Sequence, residues 1–144
     1  MNAYDKDIVA WANQQSKALR DGRFDLLDIE HVAEEIEDVG RSEQREFARR
    51  LAALLTHLLK WQVQPERRCI AWKNIIAAQR PPVLLRLKRT PSLESMLSNP
   101  GWLGVIWIDA VADAVAETGL AMEAFPQEWC WSVEDVLSDD FLPG

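Results

Sequence analysis

The chain has 144 residues, 48% apolar and 27% charged, enough to bury a sizeable core without disulfides, which excludes a disordered tail or a short linear motif. It has no apolar run of roughly 18 residues, and Met1 to Trp11 reads polar where a secretory signal needs an apolar stretch, so a soluble, cytoplasmic protein with no membrane association is expected. The net charge of −7 is segregated: residues 1–59 hold eight basic and twelve acidic side chains, residues 60–90 hold eight basic ones against Glu66 alone, and residues 91–144 hold ten acidic ones and no Lys or Arg.

Helical periodicity dominates, and β-type alternation around hairpin turns is missing. Tyr4, Ile8, Trp11, Gln15, Ala18 and Leu19 predict a first helix near 5–20, stopped by Asp21-Gly22. Asp28 reads as an N-cap for a second, short acidic helix with Ile29, Val32, Ala33, Ile36 and Val39 on one face and Gly40 as its stop. Ser42 then caps a third helix, about 43–62, whose Phe47, Leu51, Leu54, Leu58 and Trp61 form a seam that Leu55 and Leu59 widen into a bundle centre.

Pro65 breaks that helix, and a fourth is predicted over about 66–80, ended by Pro81-Pro82 because proline lacks an amide hydrogen and disfavours helical geometry before it. Val83 to Lys88 reads as another short helical piece, and Thr90-Pro91 and Asn99-Pro100 as two further helix starts. The second opens a long helix, about 100–118, ending in Thr118-Gly119; Trp129, Trp131, Val136, Leu137 and Phe141 then make a tail too apolar to float free, with a helical turn after Ser132. The expectation is one all-α domain over 1–144, a bundle of five to seven helices with the tail wrapped over it.

The strings Leu27 to Glu43, His57 to Arg68 and Trp72 to Arg80, with Pro91 to Leu93, Glu117 to Leu120, Phe125-Pro126 and Asp139 to Pro143, resemble the bacterial family catalogued as domain of unknown function twenty-nine. The resemblance spans nearly the whole chain in fixed order and implies an all-helical bacterial protein with no known activity. That family commonly has asparagine where His31 stands, serine where Cys69 stands and Cys-Pro where Cys130 falls. The matching polar residues that mark a candidate shared site are therefore Glu34, Glu35, Asp38, His57, Lys60, Trp61, Arg68, Trp72, Gln79 and Arg80.

Four constellations bear on function. His31, Glu34, Glu35 and Asp38 share a helical face, but di-iron bundles use Glu-x-x-His with a second carboxylate helix, whereas His-x-x-Glu occurs here once, so no metal or other cofactor is expected. Arg50 and His57 resemble the Arg and His of the HEPN ribonucleases, which act around a scissile phosphate, although Leu51 stands where that pattern usually has a polar residue. The stretch from Lys60 to Arg89 mixes cations with Trp61 and Trp72, as a nucleic-acid surface does; equally, Arg68 stacks on Trp72 and reaches Glu34 or Glu35 in a buried network. Trp102 and Trp107, five apart, cannot both sit centrally on one helix face, so Trp107 either lies under the tail or makes an apolar patch for a partner or a second copy.

Cys69 and Cys130 are expected as reduced thiols, and no nucleophile elbow, phosphate-cradling loop or dinucleotide fingerprint is present. The leading expectation is a non-catalytic interaction or regulatory module with an unknown protein partner. The alternative is a nucleic-acid-acting protein, a HEPN-like ribonuclease using Arg50 and His57, which requires Arg68, Lys73 and Arg80 to face solvent together.

Overall fold

A computed structural model describes residues 3–144, and they are all-α: six α-helices joined by 3-10 turns, with no strand among the described residues. The helices are α1 (Ala3–Lys6), α2 (Ile8–Arg20), α3 (Ile29–Val63), α4 (Ile70–Arg89), α5 (Pro100–Thr118) and α6 (Val133–Leu137). No helix is long and apolar enough to cross a membrane. The chain divides into two compact units, Met1–Glu43 and Gln44–Gly144, and α3 contributes to both.

In unit 1 the expected first helix is two. Asp7 leaves helical geometry and caps α2, its Oδ1 accepting the Ala10 amide at 3.1 Å, so α1 stops one residue earlier. Asp21 ends α2, and Gly22 takes the left-handed φ of 70° that turns the chain away. Asp28 precedes α3 as expected and bonds across to α2: Trp11 Nε1 donates to Asp28 Oδ2 at 3.0 Å, and the Asp28 amide donates to Gln15 Oε1 at 2.7 Å.

Gly40 does not stop a helix and Ser42 does not start one; α3 runs unbroken for 35 residues. Gly40 lacks the positive φ of a terminator, and a glycine inside a helix costs only about 1 kcal/mol relative to alanine, which the continuous hydrogen-bond ladder offsets. Pro81 and Pro82 likewise lie inside α4 rather than ending it, so the fourth helix and the Val83–Lys88 piece are one. Their missing amides leave the carbonyls of Ala77 and Ala78, but both residues are exposed and water serves them, while buried Ile76, Val83 and Leu87 hold the helix to the core on either side.

Unit 2 is a helical bundle centred on the predicted seam. Phe47, Leu51, Leu54, Leu55, Leu58 and Leu59 of α3 are fully buried and pack with Ile76 and Val83 of α4 and with Ile106, Trp107, Ala110 and Ala114 of α5. Asn99 caps α5 by accepting the Gly101 and Trp102 amides, and Gly119, at a φ of 72°, closes it. The tail returns over the bundle: Trp129 Nε1 donates to the Leu103 carbonyl at 2.6 Å, and Ser132 caps the short α6. Trp107 is therefore not an exposed patch. It is 1% exposed, donates to the Pro126 carbonyl at 2.8 Å, and lies 5.2 and 5.4 Å from the rings of Trp129 and Trp131.

Candidate functional site

Of the ten candidate residues, Glu34, Glu35 and Asp38 lie in unit 1 and the other seven in unit 2. In unit 2, His57 Nδ1 sits 3.0 Å from the Ala53 carbonyl; that oxygen only accepts, so Nδ1 carries the proton. Lys60 pairs with Glu117 at 3.2 Å and stands 5.2 Å over the Trp72 ring. Arg68 stacks on Trp61, at 5.1 Å, rather than on the expected Trp72. Its guanidinium serves the carbonyls of Trp61 and Gly144 at 2.7 and 3.0 Å in place of a carboxylate, because the turn after α3 brings Arg68 back over the last turn of that helix. Gln79 Oε1 is buried without a hydrogen-bond partner.

Arg80 is the anchor of this half. It is 2% exposed, and its guanidinium donates to the carbonyls of Val136, Asp139 and Phe141, tying the tail to α4. Burial lowers its pKa, opposed by Asp139 and Asp140. Arg68, Lys73 and Arg80 therefore do not face solvent together: Lys73 is exposed, whereas Arg80 is spent on backbone oxygens. Arg50 is engaged as well, donating to Glu46 at 3.0 Å, and Glu46 also binds Arg49, which holds its carboxyl below the usual range.

In unit 1 Glu35 and Asp38 of the acidic face have partners within the unit. Glu35 accepts the Tyr4 hydroxyl at 2.6 Å, which pushes that phenol up to about 12, and Asp38 accepts Arg41 at 3.1 Å. His31 bonds Asp28 Oδ2 at 2.7 Å and stacks on Tyr4 with ring centroids 4.0 Å apart. Sequence reasoning missed this aromatic cluster, although Tyr4 and Trp11 at a seven-residue spacing signalled a shared face. Among the described residues no three His, Cys, Asp or Glu side chains group to hold a metal, and Cys69 and Cys130 are free thiols.

Beside this cluster Trp11, Leu19, Val32, Ile36 and Val39 line an apolar groove of about 270 Å³. An acidic recess of about 380 Å³, lined by Asp38, Ser42 and Glu43, shares Glu35 and Val39 with it. Trp11 and Ala18 are the only buried apolar residues described in unit 1, while Val9, Phe24, Ile29, Ile36 and Val39 are 67–72% exposed.

Residues 3–142 match the family described as domain of unknown function DUF29. The chain belongs to the DUF29 family. No curated protein and no solved structure gives a significant match. In this DUF29 chain unit 2 uses its candidate polar residues largely to hold its parts together, and unit 1 presents an apolar groove with an acidic end.

Proposed function

We propose that this DUF29 chain is a non-catalytic interaction module and that unit 1 is its docking surface. The observation that carries this reading is the apolar groove of a unit too small to bury it. About 40 residues rarely sustain a core without a metal, disulfide or partner, and unit 1 ends with Ile36 and Val39 in the open. Its charge adds selectivity: residues 1–43 carry eleven acidic side chains against five basic ones, so a basic partner is favoured and an acidic one repelled.

The nuclease alternative draws no support from the geometry, since Arg50 is held by Glu46, His57 Nδ1 by its own helix, and Arg80 by the tail. The test is capture from the native source with the wild-type chain and with an Ile36→Glu, Val39→Glu variant whose helicity is verified. The expected result is a stoichiometric protein recovered by the first and lost by the second. Identical recoveries from both, or recovery of nucleic acid alone, overturn the reading.

A further inference from the structure

We propose that a cleft between α5 and the returning tail binds a small organic cation, an ammonium group carried on an apolar body. The cleft holds about 580 Å³, a volume suited to a small molecule, and lies wholly within unit 2, so the proposal stands apart from the docking role of unit 1. Leu103, Gly104, Trp107 and Ile108 present one face of α5 to it, and Gln127 to Trp129 of the tail form the other wall. Trp107, 1% exposed, closes the floor, whereas Ile108, 64% exposed, stands at the mouth. The two walls are pinned to each other before any ligand arrives, because Trp129 Nε1 donates to the Leu103 carbonyl and Trp107 Nε1 to the Pro126 carbonyl. Gly104 keeps the space open: it lies inside α5 without a positive φ, and a Cβ built on it meets nothing within 4 Å. Neither a turn nor a close approach requires a glycine there, and glycine weakens a helix relative to alanine; what it provides is room in the cleft.

The polar chemistry of the walls selects the charge of the occupant. Every side-chain N–H that lines the cleft is already committed: both indoles donate to carbonyls, and the Gln127 amide donates to the carbonyls of Met122 and Phe125, so its Oε1 is left to accept. The N-terminus of α5 offers an anion nothing either, since Pro100 has no amide hydrogen, Asn99 Oδ1 takes the Gly101 and Trp102 amides, and the Asn99 carbonyl takes that of Leu103. Glu128 is exposed at the rim and has no hydrogen-bond or ion-pair partner among the described residues, and no Lys or Arg occurs from residue 91 onwards. The Ser98 hydroxyl serves either role. An apolar body therefore fills the space beside Gly104 and Ile108, and a protonated amine meets the Glu128 carboxylate, with the half-buried Trp129 indole as a further attraction for a cation.

The experiment titrates the full chain at neutral pH with phenethylamine, phenethyl alcohol and hydrocinnamate, which share one apolar body and differ in the head group. Calorimetry and amide NMR shifts follow binding up to about 10 mM probe, a range that reaches a dissociation constant near 1 mM. The amine is expected to bind about tenfold or more tighter than the alcohol, with shifts confined to the first half of α5 and to residues 126–130, and the carboxylate not to bind. Glu128→Gln is expected to bring the amine down to the affinity of the alcohol while leaving the alcohol unchanged. Gly104→Leu, which fills the cleft and replaces a poor helix former with a good one, is expected to abolish binding of both, with circular dichroism verifying the fold. Should that variant fold poorly, the Glu128→Gln comparison and the shift map of the wild type decide alone. No binding of the amine, shifts elsewhere in the chain, a carboxylate that binds as well as the amine, an amine preference that survives Glu128→Gln, or undiminished binding by folded Gly104→Leu overturns the proposal.

Discussion

Arg80 Nε donates to the Val136 carbonyl at 2.9 Å, bridging 56 residues, and the same guanidinium serves two more carbonyls of the tail. Hydrogen bonds from a charged donor contribute about 1.5–3 kcal/mol each, and a planar fork suits three divergent acceptors in a way an ammonium does not. Arg80→Met is expected to destabilise unit 2 by about 3 kcal/mol or more, with Arg80→Lys recovering only part of the loss. Urea unfolding followed by tryptophan fluorescence measures both, and equal stability of Arg80→Met and wild type contradicts the anchoring role.

The tail is also held through its indoles. Trp129 donates to Leu103 and Trp107 to Pro126, so Trp129→Phe keeps an aromatic ring in place but removes one bond between tail and α5, while the Leu103 carbonyl keeps its acceptor role in the helix. The expected cost is about 0.5–1.5 kcal/mol, the net worth of one neutral hydrogen bond. Near-UV circular dichroism should change with it, because Trp107 lies against Trp129 and Trp131.

How far the sequence was legible follows from which forces are local. The seam from Phe47 to Leu58, the Asn99 cap and the Gly119 stop depend on neighbours within a few residues, and all three stand where spacing put them. Gly40 and Pro81-Pro82 carry the local signature of stops, but the helical ladder through Gly40 and the burial of Ile76, Val83 and Leu87 around the prolines outweigh penalties of roughly 1 and 3 kcal/mol. Arg68 and Arg80 were legible as candidates but not as anchors: their acceptors are mostly backbone carbonyls of the tail, and a carbonyl leaves no signature in a sequence. The groove was visible as the stripe of Val32, Ile36 and Val39; that the stripe stays open depends on tertiary structure alone.

The Tyr4, Asp28 and His31 cluster makes the stability of unit 1 depend on pH from both sides. The hydrogen bond to Asp28 raises His31 above its ordinary 6.5, so its contribution is complete below about pH 6.5 and is lost as pH rises through the higher folded value. Burial alone raises Asp28, but bonds from His31 and Trp11 outweigh it and hold the carboxyl below 3.8; that contribution is present above 3.8 and lost as pH falls through the lower folded value. Tyr4, bonded to Glu35, contributes below about pH 10 and loses its contribution towards about 12. Amide-exchange protection in α2 is expected to fall as pH rises past the His31 titration, and His31→Gln to flatten that fall. An unchanged profile in the variant rejects the assignment.

Gly40 offers a test of the long helix itself. A Cβ built on it meets nothing within 4 Å, and its φ is not positive, so alanine fits without strain. Because alanine loses less backbone entropy on entering a helix, Gly40→Ala is expected to stabilise α3 by about 0.5–1 kcal/mol. The gain should appear as greater exchange protection around residues 36–44. If Gly40 instead serves as a left-handed stop between two helices, the same substitution destabilises, since alanine resists a positive φ, so the sign of the change alone decides between one helix and two.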